Sequence, residues 1–406
     1  MRKIKKLITF IMIFIISVSV LQGKIKTYAD NANQKLIVKD FSPGKNDYNS
    51  INAVIWNGKK YIAVDSSYNK IYSSNDGISW NTEDSCIYGV KDIACSKNKY
   101  TLVGYFVSPS DFPNDKKNII SYGDKGKYKR LLPVASSSNG VKWKAITGSM
   151  KNADNCNGGW DPPTTLLACN NKFYHFYYCT VQISTDGSTY KNNIINIKDP
   201  KRLTPKGYKY LGKGSDIYSE SVIFDGKKFI AYKSDYYGSF ILNSKDGINW
   251  SVVYFNKNKY LFYELNQEHP YGRDFSEITY SNKKFRIITS KSIVESSDGV
   301  KWKEKSLDSL YKNKNVKNLV SKLSNARIYK NSEYLFFQIQ KKDKYDQYWY
   351  TSKFIVTKDY KNFYEVDLGS TVYGIIYIDK KYMITIDKVY DYKVVKEYIN
   401  KAKLIK

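Results

Sequence analysis

The 406-residue chain carries 66 Lys and Arg against 38 Asp and Glu, a formal charge of +28, with 39 tyrosines and only two histidines. So few histidines exclude a histidine-built zinc site. The cysteine spacing is not that of a metal knuckle, no cofactor is implied, and no recognisable reading motif supports a nucleic-acid binder.

In chain order, residues 1–29 read as a secretory signal peptide. Arg2, Lys3, Lys5 and Lys6 open it, an apolar run fills 7–21, and Thr27, Tyr28 and Ala29 offer a small-x-small cleavage site. The run is shorter than the ~20 residues a span needs; a retained membrane anchor is the competing reading. No cysteine follows for a lipid anchor, and the end, KEYINKAKLIK, holds no apolar sorting tail. The expected protein is exported, extracellular or held at the cell wall by charge, with no stable membrane span after processing. Removing the six basic residues of 1–29 leaves a charge of +22 on residues 30–406.

From about residue 50 the sequence repeats itself. One unit is a short apolar run, a polar turn and a second apolar or aromatic run, the signature of a hairpin. Its copies are NAVIWNGKKYIAV (52–64), DIACSKNKYTLVG (92–104), LLACNNKFYHFYY (166–178), SVIFDGKKFIAY (221–232), EITYSNKKFRIIT (277–289), ARIYKNSEYLFF (326–337) and GIIYIDKKYMITI (374–386). A third short strand follows, such as KIYSS (70–74) or SFILNS (239–244), and leads into a second unit. Its copies are SSNDGISW (73–80), SSNGVKW (137–143), STDGSTY (184–190), SKDGINW (244–250) and SSDGVKW (296–302), with a decayed TKDYKNF (357–363).

The second unit describes a tight turn. An Asp or Asn bonds back to the turn backbone, Gly supplies a positive φ, and the aromatic returns the chain to a core. The residues expected to carry it are Asp76, Gly77 and Trp80; Gly140 and Trp143; Asp186 and Gly187; Asp246, Gly247 and Trp250; Asp298, Gly299 and Trp302. A fourth strand begins at the aromatic. Four short antiparallel strands per unit, repeated around an axis, predict an all-β protein, a β-propeller forming a single domain over 30–406.

Successive turn positions are 63, 47, 60, 52 and 61 residues apart, longer than a compact blade of ~40–45, so insertions between or within blades are expected. Six turns and a seventh hairpin predict seven blades, with six as the alternative. In the seventh, DYKVVKEY (391–398) is expected to be the third strand. The N-terminal run KLIVKDF (35–41) would supply the fourth, closing the ring and removing edge strands.

The turns resemble the Asp-box of sialidase-type, or BNR, repeats, whose pattern is Ser-x-Asp-x-Gly-x-x-Trp. Ser73, Gly77 and Trp80 fit, with Asn75 in the Asp place. The pairing of NGKKYIAV with SSNDGISW is more similar to a variant found in many exported bacterial propellers of unassigned function. There the acid directly precedes the Gly, as Asp76, Asp186, Asp246 and Asp298 do. The resemblance covers about residues 50–390; it implies the fold and leaves the activity open. Sialidases proper clamp a substrate carboxylate with three arginines, the first in an early Arg-Ile-Pro motif. Here no arginine lies between the signal peptide and Arg130, and FRII (285–288) lacks the Pro. Arg286 is expected to fill a blade position, and no catalytic residue of that family is carried over.

Loops joining blades, and those joining second and third strands, open on one face around the channel of a propeller. On them lie Trp160 and Asp161 within CNGGWDPP (156–163), Tyr218 within 199–221, and Arg273 within 266–274. A ring beside a carboxylate suits a sugar, whose apolar face stacks while its hydroxyls bond to the acid. These four are the candidate ligand contacts. Asp216 opposite Glu268 would be the acid pair of a glycoside hydrolase or lyase. The leading expectation is a non-catalytic, monomeric propeller that binds an extracellular polysaccharide or anionic polymer. A scaffold for a surface protein is the other alternative. Lysine dominates the charge, the only arginines after the signal being Arg130, Arg202, Arg273, Arg286 and Arg327, and such a surface draws polyanions. The cysteines are Cys86, Cys95, Cys156, Cys169 and Cys179. One or two disulfides are expected to pin 153–165, with Cys95 and Cys169 at equivalent hairpin places and Cys169 close to Cys179.

Overall fold

A computed structural model describes residues 37–40 and 51–405, apart from 66–69, 88, 105–118, 123–127, 132–133, 147–163, 178, 207, 209–210, 216, 218–221, 236, 258–262, 266–272, 276–277, 290, 321–325, 328–332, 343–347, 369–374 and 386–387. The chain folds into seven blades, each an antiparallel sheet. Blade 1 runs Ile51–Trp56, Tyr61–Asp65, Lys70–Ser74 and Asn81–Asp84. Blade 2 runs Val90–Ser96, Lys99–Gly104, Val134–Ser137 and Lys144–Ile146. Blade 3 is Thr164–Cys169, Lys172–Tyr177, Thr180–Ser184 and Lys191–Ile194. Blade 4 is Ile223–Phe224, Phe229–Asp235, Gly238–Ser244 and Asn249–Asn256. Blade 5 is Ile278–Ser281, Lys284–Ile288, Ser292–Ser296 and Lys303–Ser306. Blade 6 is Ala326–Arg327, Leu335–Lys342, Tyr348–Thr357 and Phe363–Asp367. Blade 7 is Ile375–Ile378, Tyr382–Thr385 and Lys388–Asp391. Its outer strand neighbours Ile37–Asp40, with Ile37 opposite Tyr390 and Asp40 opposite Lys388.

Insertions sit where the long spacings put them. Blade 2 holds a hairpin, Ile119–Tyr122 with Tyr128–Leu131, between its second and third strands. Asn196–Lys198 adds a parallel strand outside Asn249–Asn256 of blade 4, and Gly212–Lys213 pairs on it. A ribbon of Tyr263–Leu265 and Arg273–Phe275 precedes blade 5, and two short helices, Leu307–Leu310 and Lys314–Val320, precede blade 6.

The third strand of blade 7 is Lys388–Asp391, not 391–398 as DYKVVKEY suggested. Asp391 accepts the N–H groups of Lys393 at 2.8 Å and Val394 at 3.3 Å, which makes it the N-cap of a helix, Tyr392–Lys401. Tyr392, Val395 and Ile399 are its buried residues, a helical spacing, and they share a cluster with Phe336 and Phe354 of blade 6. The tail then returns as Lys403–Leu404, paired with Tyr364 and Glu365 on the outer edge of blade 6.

There is no single central core. The described residues form seven apolar clusters, and each draws on two neighbouring blades. Tyr174 and Phe176 of blade 3 meet Phe229, Phe240 and Trp250 of blade 4. Ile62 and Val64 of blade 1 meet Tyr100 and Leu102 of blade 2. Tyr61 and Ala63 of blade 1 meet Tyr382 and Ile384 of blade 7, so the first and last blades share a cluster like any other pair. Stability therefore resides in contacts between blades, and an indole at such a contact is worth more than one beside it. Trp250 is 1% exposed and donates Nε1–H to Gly247 O at 2.8 Å, whereas Trp80 and Trp302 are half-buried. Trp250→Ala should cost ~3–5 kcal/mol in denaturant melts. Trp80→Ala should cost clearly less; equal losses would contradict the difference in burial.

Candidate functional site

The turns are built alike. In blade 1 the Gly77 N–H donates to Ser74 Oγ at 2.8 Å, Ser74 Oγ donates to Asp76 Oδ1 at 2.9 Å, and that same Oδ1 accepts the N–H groups of Ile78 at 2.8 Å and Ser79 at 2.7 Å. Blades 3, 4 and 5 repeat this with Ser184 and Asp186, Ser244 and Asp246, and Ser296 and Asp298. The serine is therefore Ser74, two before the acid, and Ser73 lies in the third strand opposite Asn81. Blade 2 has Asn139 in the acid's place, accepting from Val141 and Lys142, each at 2.9 Å. An oxygen acceptor is what the turn requires; a charge is not. The N–H groups of Ser79 and Ile78 hold the Asp76 carboxyl down at about 2.

Each turn also touches the blade before it. Gly77 has φ +75°, and a Cβ there would meet Tyr382 Cε2 of blade 7 at 2.7 Å. At Gly299 a Cβ would meet Ile230 Cδ1 of blade 4 at 2.9 Å, and at Gly247 it would meet Phe176 Cζ of blade 3 at 3.2 Å. Glycine is needed for both reasons: left-handed backbone and close approach to a neighbour's side chain. Blade 6 solves the same problem differently. Tyr360 takes the glycine place at φ +59°, its N–H donating to Thr357 Oγ1 at 3.0 Å while Asp359 Oδ1 accepts from Lys361 and Asn362. Its ring enters the interface, with the hydroxyl 2.8 Å from Thr279 Oγ1 and the Arg286 guanidinium 4.8 Å from the ring centroid. Arg286 is 7% exposed and pairs with Glu295 at 3.6 Å. It fills a blade position, as its strand predicted.

Alternation of strand direction places the first-to-second hairpin turns and these third-to-fourth turns at one end of the barrel of blades. Cross-blade bonds agree: Lys228 Nζ donates to Asp298 O at 2.7 Å, and Asn282 Nδ2 donates to Lys358 O at 2.7 Å. On this face the hairpin turns fix their backbones with Asn57 or Asp225, whose Oδ1 accepts the N–H groups of Lys59 and Lys60, or of Lys227 and Lys228, at 2.7–2.8 Å. Their side chains are left outside. Exposed lysines occur at this turn in all six blades whose turns are described: Lys59, Lys97, Lys172, Lys227, Lys283 and Lys380. Trp56 and Tyr280, at the ends of the first strands of blades 1 and 5, stand beside them at 38% and 39% exposure. Lysine was visible in every one of these hairpins in the sequence; what drew attention away from it was the expectation that function sits at the opposite end.

Among the described residues, Asp92 is the carboxyl held nearest neutral pH. It sits on the first strand of blade 2, and its Oδ2 accepts the Leu166 N–H of blade 3 at 3.3 Å while Oδ1 accepts that of Ile93 at 2.8 Å. Burial pushes it up to about 6, against those bonds and nearby Lys91, which pull it down. On the second strand of blade 3, His175 is fully buried with Nδ1 3.1 Å from Gln182 Oε1, and its Nε2 meets no hydrogen-bond partner among the described residues. Burial holds this imidazole at about 4, hence neutral at pH 7. Asp92 is spent on tying blade 2 to blade 3, and His175 on joining two strands of blade 3.

Of the sequence-predicted ligand residues, Trp160, Asp161 and Tyr218 lie outside the described residues, as do Asp216 and Glu268. Arg273 opens the strand Arg273–Phe275, opposite Leu265, and its side chain lies outside the description. No group of three or more metal-ligating side chains occurs among the described residues, and no helix among them is long and apolar enough to cross a membrane. Cys86, Cys95 and Cys169 carry thiols, so the expected approach of Cys169 to Cys179 does not make a disulfide. Nor are Cys95 and Cys169 equivalent: Cys95 opposes Tyr100, whereas Cys169 opposes Lys172, one step further along the hairpin. A one-residue offset puts the two sulfurs on opposite faces of their sheets. Cys156 lies outside the described residues.

No protein-family model matches the chain, and no curated protein matches it. Among solved structures, virginiamycin B lyase from Staphylococcus aureus is similar at TM-score 0.50 and 10% identity, over 87% of this chain and 97% of that one. A streptogramin B lyase gives TM-score 0.47 and 10% identity over 90% and 97% of the two chains. The β-propeller domain of the Trilobed protease from Pyrococcus furiosus gives 0.42 and 8% over 84% and 92%. At such identities the likeness is one of fold alone.

The raised Asp92 carboxyl makes a pH dependence with a definite sign. Its value in the fold, about 6, lies above the ordinary 3.8, so the stabilisation it gives is present below about pH 4 and is lost as pH rises through about 6. Asp92→Asn keeps an acceptor for Leu166 without the charge. It should be more stable than the wild type above pH 6 and lose that advantage near pH 4, measured as denaturation midpoints across pH. An unchanged difference at both pH values would show that the carboxyl is not desolvated.

Proposed function

We propose that the protein is an exported, non-catalytic propeller that binds an extracellular anionic polymer or acidic glycan. The observation that carries this is the repeated exposed lysine of the hairpin turns, at Lys59, Lys97, Lys172, Lys227, Lys283 and Lys380. Four of them, Lys59, Lys227, Lys283 and Lys380, stand two residues before the aromatic of the second strand, and Lys97 and Lys172 stand one residue to either side of that place, so the charge returns to the same turn in blade after blade. The charge of +22 on residues 30–406 supports the same reading, since a surface of one sign concentrates ligands of the other. Trp160, Asp161, Tyr218 and Arg273 stand as further candidate contacts for sugar rings. The mature protein should be retained on an anionic polysaccharide column at low salt and leave it by ~0.5 M salt, where the Debye length has shrunk to a few ångströms. Passage through every anionic matrix at low salt would end this reading. Reproducible release of reducing ends, lost in Asp216→Asn combined with Glu268→Gln, would replace it with a glycosidase.

We also infer that Ile37–Asp40 closes the ring as the outer strand of blade 7. The antiparallel register with Lys388–Asp391 supports this, as does the apolar cluster shared by blades 7 and 1. A chain beginning after Phe41 would expose the edge of Lys388–Asp391. It should melt lower than one beginning after Ala29 and aggregate more readily; identical melting of the two would show that the strand adds nothing.

A further inference from the structure

Resting on the polymer-binding reading, we propose that the hairpin-turn face is the binding surface, and that it is fitted to a linear polyol-phosphate chain laid around the ring. The face is defined by topology and by the cross-blade bonds of Lys228 to Asp298 and Asn282 to Lys358. Its lysines come from separate blades, so no compact ligand reaches more than a few of them, whereas a chain with charges at regular intervals engages many in turn.

The acids of the same face are each engaged by their own neighbours, Glu333 of blade 6 by Lys358 at 3.3 Å. Oδ1 of Asp76, Asp246 and Asp298 each accepts two backbone N–H groups of its own turn, so those carboxylates point at turn amides. Lys59 and Lys227 are anchored through their backbone N–H groups. Among the described residues on this face the cation is lysine throughout; Arg286 is buried, and exposed Arg202 lies in the connection between blades 3 and 4. Lysine is a compact point charge that suits a phosphate, while paired recognition of a carboxylate calls for the planar fork of arginine. Trp56 and Tyr280 each have one side covered, their ring centroids 4.4 Å from that of Tyr61 and 4.5 Å from that of Phe285. The uncovered side of each ring offers an apolar contact to the CH groups of a polyol.

The test compares two variants carrying the same charge change. One is Lys59→Glu, Lys227→Glu, Lys283→Glu and Lys380→Glu on the hairpin turns. The other is Lys201→Glu, Lys206→Glu, Lys312→Glu and Lys314→Glu, all exposed residues in the connections between blades and outside the hairpin turns. Binding to immobilised synthetic poly(glycerol phosphate) is measured at fixed ionic strength, with thermal melting as the check on folding. The hairpin variant should bind on the order of 100-fold more weakly than the wild type, and the connection variant within a few-fold of it. Equal losses in both would reduce the effect to net charge and overturn the assignment of this face. Polygalacturonate or single-stranded DNA bound by the wild type as tightly as poly(glycerol phosphate) would overturn the polyol-phosphate assignment. A wild type that holds some polyanion while the hairpin variant holds it equally well defeats this inference alone; a wild type that holds none defeats the broader reading with it.

Discussion

The structure depends on one small hydrogen bond, from a glycine N–H to the hydroxyl of a serine three residues earlier. It turns the chain sharply enough that the glycine takes a left-handed φ, and the missing Cβ lets the turn backbone lie against a side chain of the preceding blade. Gly77 against Tyr382, Gly247 against Phe176 and Gly299 against Ile230 are the same event in different interfaces. A local turn thereby sets how blades abut. That is why the apolar clusters of the described residues fall between blades.

The departures from this device are as instructive as its repeats. Blade 6 lacks the glycine, and its Tyr360 side chain projects into the interface that elsewhere must be left clear. The strand it meets carries Arg286 where blade 4 carries Ile230 and blade 3 carries Tyr174, so two irregularities in neighbouring repeats answer one another. Blade 7 lacks the turn altogether. There a capped helix covers the cluster shared with blade 6, and the Tyr61 hydroxyl of blade 1 donates to Asp379 of blade 7 at 2.8 Å. Between blades 6 and 7 the capped helix does what the turn does elsewhere. The other interfaces are held by the repeated turn or by its Tyr360 variant.

Most of the architecture was legible because its signals are local. Asp-Gly turns, alternating apolar runs and the returning aromatic each act within eight residues, and the structure has strands and turns where those signals lie. What failed was also physical. VYDYKVVKEYI is as rich in valine and tyrosine as any strand here, and only the neighbouring cluster on blade 6 gives the spacing of Tyr392, Val395 and Ile399 something to pack on. Cys95 and Cys169 look equivalent by eye, yet Cys169 stands one residue nearer its turn, in the place Ser96 takes in blade 2. Arg286 was placed correctly because strand position, once the repeat is aligned, outweighs a motif with one letter missing. The candidate ligand loops follow no repeat, so no neighbouring copy constrains how Trp160, Asp216 or Glu268 is placed.

Lysine in the hairpin turns joins fold to function in a way a loop insertion would not. In blades 1 and 4 the turn pins its lysines by their backbone N–H groups, Lys59 and Lys60 through Asn57 and Lys227 and Lys228 through Asp225. A single exposed ion pair of this kind is worth ~0–1 kcal/mol, too little to hold a free phosphate or a short sugar acid. Engaged together by one chain, such contacts gain from the high local concentration of the next charge along. A surface built this way discriminates by the length of its ligand before its chemistry. It favours polymers over their own monomers, and that preference follows from the repetition that built the ring.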